Sequence, residues 1–241
     1  MILEKKSHNY FSIELKDTFN LGVCGKSINT IDYNREHSHI RKEEKNLLAA
    51  LNKLPQENIL FLHQVHKDTI HIVESPDNKN KSSVADADAM ITNQKEICLV
   101  IRTADCVPVF LIDMEKCAIA AIHSGWRSTE LEITSKAILK MKDVYNSNPT
   151  DIKAFILPGI CGKSYEVKMD VASHFSKDDY IEKDGKQYLD LQIPITRQLI
   201  QSGVIPDNID SSSQCTLIDN NEFFSHRCGD KGRNLNFIFM K

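Results

Sequence analysis

What this chain lacks narrows it before anything it contains. No apolar run approaches the roughly 20 residues needed to span a bilayer, so no membrane partner is expected. There is no basic excess. Thirty Lys and Arg stand against 33 Asp and Glu, for a net charge of −3, so nucleic acid is not the default partner. The opening MILEKKSHNYFSIELKD is too charged for the apolar region of a secretion signal, and a cytoplasmic location is expected. No two of the seven cysteines form a CxxC pair, and their number is odd. A disulfide framework is therefore not expected; buried thiols with one functional thiol are. No repeat or low-complexity linker divides the 241 residues, which points to a single domain over 1–241.

The elements come in mixed order. HIRKEEKNLLAALNKL (39–54) has a helical apolar face of Ile40, Leu47, Leu48, Leu51 and Leu54. One or two strands fit within 11–24, and 57–66 and 69–74 open as strands. PDNKNKSS (76–83) has the composition of a solvated loop. Three apolar runs then follow closely: ICLVIRT, VPVFLID and CAIAAIH. The spacing predicts a helix over 129–145, with Thr129 and Glu132 as a capping box and Ile133, Ala137, Ile138 and Met141 as its buried stripe. Strand 152–158, helices 166–175 and 194–204, and a final strand LNFIFMK complete the reading. Without strict βαβ alternation, the class is α/β or α+β with mixed sheets.

Three apolar strands end in side chains of catalytic type: Gln64-Val65-His66, Thr103-Ala104-Asp105-Cys106, and His123 before Ser124-Gly125-Trp126-Arg127. Strand ends are where rigid sheets hold functional groups. If they converge, two imidazoles and a thiolate form a three-ligand set that leaves a fourth position open. No local metal motif such as HExxH supports this. Two other readings stay open: a Cys106 nucleophile with His123 as base, and a buried structural thiol beside ordinary loop histidines. Asp86 and Asp88 fit paired carboxylates or, more commonly beside small residues, turn or cap positions. Arg127 fits a phosphate contact or a surface role. Trp126, the single tryptophan, fits base stacking or packing.

The combination is more specific than its parts. QVH, ADAMIT, RTADCVPVFLID, AAIHSGWR, LPGICGKSYEV and FFSHRCGDKGR occur in this order. They resemble the laccase-domain or polyphenol-oxidase family, also called the purine nucleoside phosphorylase type, which includes the bacterial peptidoglycan editing factor. The resemblance covers about residues 57–241. It implies mixed β-sheets sandwiched between helices, and one zinc ion held by His66, Cys106 and His123. It also implies phosphorolysis of adenosine, inosine, guanosine or methylthioadenosine, with adenosine deamination in some members.

In that setting Asp105 is the candidate proton carrier and Arg127 the candidate catalytic cation. Gln64, Arg102 and Arg233 are the candidate substrate-binding residues. Purine nucleosides and phosphate are the expected partners, and a monomer is expected, since a single site needs no second copy. The alternatives are a zinc amidase editing cell-wall precursors, a copper-dependent polyphenol oxidase, and a ligand-binding protein without activity. Departures from the family pattern lie around the substrate. FNLGVCGKS (19–27) lacks the family's N-terminal Arg, and Leu157, Ser128 and Cys228 stand where the pattern has Gly, Gly and Arg.

Overall fold

The computed structural model describes residues 4–5, 11–29, 31, 34, 37–74 and 85–241; the solvated loop expected at 76–83 lies outside them. The chain opens with β1 (Glu4–Lys5), β2 (Phe11–Leu15), β3 (Phe19–Cys24) and α1 (His37–Asn52). Next come β4 (Ile59–Phe61), β5 (Ile70–Ile72), β6 (Ala89–Thr92), β7 (Cys98–Thr103), β8 (Val107–Asp113) and β9 (Ala118–Ser124). Then follow α2 (Trp126–Glu130), α3 (Ile133–Tyr145), β10 (Ile152–Ile156), β11 (Glu166–Val167) and α4 (Met169–Ala172). The chain ends with β12 (Tyr180–Lys183), β13 (Lys186–Leu189), α5 (Gln192–Gln201), β14 (Ile209–Ser211) and β15 (Asn234–Met240).

Two mixed six-stranded sheets form the body, in the orders β1-β2-β3-β15-β7-β4 and β14-β10-β8-β9-β6-β5. The period of two explains why the central strands are apolar on both faces. Phe110 and Ile112 of β8 join Leu99 and Ile101 of β7 in a core between the sheets. Val109 and Leu111 face the other way, against Ile133, Ala137, Ile138 and Met141 of α3 and Leu199 of α5. Cys98 and Val100 of β7 pack toward Leu48 of α1. The layers are therefore helix, sheet, sheet, helix, as the resemblance implies. A small sheet, β11-β13-β12, stands apart from both.

The structure corrects three element readings. The helix expected over 129–145 is two helices, because Glu132 takes a left-handed backbone (φ 58°) between α2 and α3. The Thr129–Glu132 capping box does not form. Thr129 lies inside α2, where its hydroxyl donates to the Gly125 carbonyl at 2.8 Å and meets the Ser124 hydroxyl at the end of β9. The helix expected over 166–175 reduces to α4, preceded by β11. The β12–β13 hairpin was not anticipated, although Asp184-Gly185 at its tip, both with positive φ, is the ordinary signal for such a turn.

Candidate metal centre

The break in IRTADCVPVFLID is the crossing from one sheet to the other. β7 belongs to the first sheet and β8 to the second, and Cys106 sits in the turn that joins them. β9 pairs antiparallel with β8 and sets His123 opposite Pro108. β4 runs parallel to β7, and the loop beyond it carries His66 back over the same end. The donor atoms of His66, Cys106 and His123 consequently lie within 4.8 Å of one another. The two imidazoles meet edge to face, with centroids 4.8 Å apart. His123 is buried, Cys106 half-buried and His66 exposed, so the cluster is reachable from one side.

One carboxylate organises this cluster. Asp88 is fully buried. It accepts the backbone N–H groups of Val65, His66 and Lys67 at 3.2, 3.0 and 2.7 Å. That capture holds His66 in a left-handed conformation (φ 59°), which a residue with a Cβ adopts only at a cost. The same carboxylate lies 2.8 Å from His123 Nδ1, and the Asp88 carbonyl accepts the His123 backbone N–H. With Nδ1 engaged, Nε2 is the nitrogen left to bind a metal. Burial opposes the Asp88 charge, but the His123 ring and the Lys67 and His66 amides outweigh it and hold the carboxyl below its ordinary range.

The donors also polarise one another. Burial disfavours a Cys106 thiolate, yet His123 and His66 bring its pKa down to about 6. Burial likewise disfavours charge on His123, while the Cys106 sulfur and Asp88 raise it to about 9. A thiolate ready at neutral pH beside two imidazoles is the donor set of a metal site. Backbone shape agrees. A Cβ on Gly125 would stand 2.9 Å from Cys106 Sγ and 3.3 Å from His66 Cδ2, so only glycine leaves this cradle open. Among the described residues no other group of three such ligands comes together.

Two cavities meet at the cluster and share His66, Ala104 and Cys106. One, of about 250 Å³, is cationic, with Arg41, Arg102 and Arg233 in its wall. The other, of about 220 Å³, is mainly aromatic and apolar, with Trp126, Tyr165, Ile160 and Leu191 around Asp105, and with His226 and Arg227 also in its wall. Arg102 is held by Glu44, whose second oxygen pairs with Arg41 at 3.0 Å. Gln64 lines the cationic cavity, but its amide bonds the Arg102 backbone in both directions, at 2.8 and 2.9 Å, extending the β4–β7 pairing. Arg233 donates to the Lys231 and Gly232 carbonyls. Asp105 faces the aromatic cavity and accepts from the Thr216 hydroxyl at 2.7 Å and the Arg227 N–H at 3.1 Å. Arg127 is exposed, stacked over Trp126 at 4.1 Å, and lines neither of these two cavities.

Sequence reasoning missed Asp88 as the organiser, Arg41 and Glu44 behind Arg102, and Tyr165 and Arg227 in the aromatic wall. Tyr165 and Arg227 fall inside segments already conspicuous in the sequence, GKSYEV and SHRCGD.

The family described as multi-copper polyphenol oxidoreductase laccase matches residues 18–241, which extends the likeness forward to β3. A purine nucleoside phosphorylase of Clostridium acetobutylicum is 31% identical, over 98% of this chain and 99% of its own. One of Bacteroides thetaiotaomicron is 29% identical, over 91% of this chain and 87% of its own. Among solved structures, the hypothetical protein YfiH of Bacillus licheniformis superposes with a TM-score of 0.88 at 25% identity, covering 99% of each chain. YlmD of Geobacillus stearothermophilus superposes with a TM-score of 0.90 at 22% identity, covering 100% of this chain and 99% of its own, which speaks for the fold alone.

Proposed function

The chain belongs to the multi-copper polyphenol oxidoreductase laccase family, and on that footing we propose that it is a zinc-dependent purine nucleoside phosphorylase. The observation that carries this reading is the pair of unlike cavities on either side of the His66–Cys106–His123 cluster. A phosphate anion suits the arginine-lined cavity, where guanidinium groups offer charge-assisted, bidentate hydrogen bonds. A purine suits the aromatic cavity, whose wall includes the Trp126 and Tyr165 rings. The ribose C1′ then falls between them, beside the cluster. The relatives named purine nucleoside phosphorylase support the same substrates.

His66, Cys106 and His123 would hold the zinc ion, which supplies Lewis-acid polarisation when bound. The remaining work belongs to side chains. Arg102, fixed by Glu44, and Arg41 would orient phosphate for attack on C1′. Asp105, fixed by Thr216 and the Arg227 amide, would accept a hydrogen bond from the purine edge, or carry a proton if adenosine is deaminated there. Gln64 would act by positioning Arg102, and Arg127 by seating Trp126. The one such cluster among the described residues suits one ion, which favours this reading over oxidation by several coppers.

The test combines metal analysis with product analysis. Purified protein should carry about one zinc per chain. It should release base and ribose 1-phosphate from adenosine or inosine only when phosphate is present. Cys106→Ala and His123→Ala should lose both metal and turnover. Full turnover in metal-free Cys106→Ala protein would sink the metal reading. Stoichiometric copper would return the site to phenol oxidation, and base release without phosphate would make it a hydrolase.

A further inference from the structure

Away from the metal cluster, Cys161 and Cys215 are brought side by side. After β10 the chain passes Gly159, which pairs with Cys215 in an isolated parallel bridge. The Thr216 N–H donates to the Gly159 carbonyl at 3.0 Å, and the Cys161 N–H donates to the Cys215 sulfur at 3.2 Å. Both cysteines line a cavity of about 480 Å³, walled in part by Tyr180, Tyr188 and Ile218.

The two sulfurs are chemically unequal. The Cys215 sulfur accepts the Cys161 N–H at 3.2 Å, while the Cys161 thiol donates to the Ser164 hydroxyl at 3.6 Å. Burial opposes a thiolate on Cys215, but the hydrogen bonds to its sulfur outweigh it and its pKa is lowered. Cys161 moves the opposite way, raised by burial and by its neighbour. With the Cys161 amide on its sulfur, Cys215 is the better nucleophile of the two.

We propose that Cys161 and Cys215 are a reversible dithiol–disulfide pair, oxidised by a hydroperoxide entering through this cavity, and that the bond clamps the wall of the aromatic cavity. The Cys215 thiolate attacks the terminal peroxide oxygen, the O–O bond breaks, and the departing alkoxide or hydroxide takes up a proton. Cys215 is then a sulfenic acid. The Cys161 sulfur attacks it, the S–S bond forms, and the hydroxyl leaves as water with the Cys161 proton. A low-molecular-weight thiol reverses the change by exchange.

The clamp acts through neighbours in sequence. Thr216, next to Cys215, holds the Asp105 carboxylate at 2.7 Å. Ile160, next to Cys161, donates its N–H to the Asp105 carbonyl at 2.9 Å and lines the aromatic cavity. Joining Cys161 to Cys215 ties both sides of Asp105 together. Any consequence for nucleoside binding rests on the proposed function; the cross-link does not.

The metal-loaded protein is treated with hydrogen peroxide, alkylated, digested and mapped by mass spectrometry without reduction. The expected product is a peptide linking Cys161 to Cys215, about 2 Da lighter than the dithiol and restored by a thiol reductant. Emission from Trp126, the single tryptophan and part of the aromatic wall, should shift on oxidation and return on reduction. Cys161→Ser should abolish the link and the shift and leave Cys215 trappable as sulfenic acid by dimedone. Cys215→Ser should abolish all three. Quantitative alkylation of both cysteines after peroxide, or links confined to the exposed Cys117 and Cys228, would overturn the pair. An equal emission shift in Cys161→Ser would overturn the clamp. No readout uses nucleoside turnover, so the outcome is separable from the fate of the proposed function.

Discussion

Asp88 shows how much one buried side chain can decide. Its carboxylate collects three consecutive backbone amides and the His123 ring, so it sets the path of the His66 loop and the orientation of the second imidazole together. Asp88→Asn keeps the size but replaces one acceptor oxygen with a donor. It should weaken metal binding at this cluster by roughly 10–100-fold, the usual effect of losing a group that orients a metal-binding histidine. Competition against a chromophoric chelator measures this, and undiminished affinity would show that His66 and His123 hold their places without it. Asp88 was not distinguishable from Asp86 in the sequence. The two are two residues apart, so the strand period puts them on one side, and only the fold makes one a buried organiser. The other is an exposed partner of His63 at 2.9 Å. Gln64 shows the reverse. It looks like a substrate contact beside His66, but its amide completes a ladder of backbone bonds.

The α2–α3 break belongs to the scale of elements. A continuous helix over 129–145 has the right apolar stripe, and that stripe is buried as expected. The first turn is diverted because Thr129 is engaged at the end of β9 and Gln198 of α5 donates to the Thr129 carbonyl at 2.7 Å. The chain recovers through Glu132 in a left-handed conformation on the surface. Glu132→Gly removes the Cβ penalty at that junction and should stabilise the protein by about 1 kcal/mol, read from denaturant unfolding. A loss of stability would mean that the Glu132 side chain matters more than its backbone strain. At the other end of the molecule, α1 contributes through its buried face as well as its packing. Glu44 reaches from that helix to hold Arg102 at the end of β7, which no pattern of apolar spacing reveals.

Across the whole molecule, two sheets with helices outside place three strand ends and two cavities at one rim. The long connection before β15 is fastened across this rim by Asp230. It accepts from Asn220 Nδ2 at 2.7 Å and the Ser225 N–H at 2.9 Å, and pairs with Lys26 at 2.8 Å. Burial raises its pKa, but Lys26, the Ser225 amide and Asn220 outweigh that and lower it. A carboxyl depressed in the folded state stabilises it above the unfolded pKa of about 3.9, and that contribution is lost as pH falls through the folded value. Asp230→Asn should therefore flatten this part of the acid limb of a stability-versus-pH profile while lowering stability at neutral pH. An unchanged acid limb would show that the fastening carries no linked proton.

The sequence by itself marked the buried strands and the candidate donors at their ends. Continuous apolar runs demand burial on both faces, and polar groups at their ends mark where the sheets stop. It also carried the family likeness, in motifs whose order survives where overall identity is modest. Tertiary structure alone decided which donors converge and what surrounds them. His66 and Cys106 are 40 residues apart, and strand pairing closes that gap. The same holds for Asp88, Glu44 and Thr216, whose partners lie on other elements. Their roles depend on hydrogen bonds between distant segments, and local periodicity carries no record of those. IRTADCVPVFLID was legible as two buried strands with a reactive break. That the break crosses between sheets, with a cationic cavity on one side and an aromatic one on the other, followed only from folding the chain.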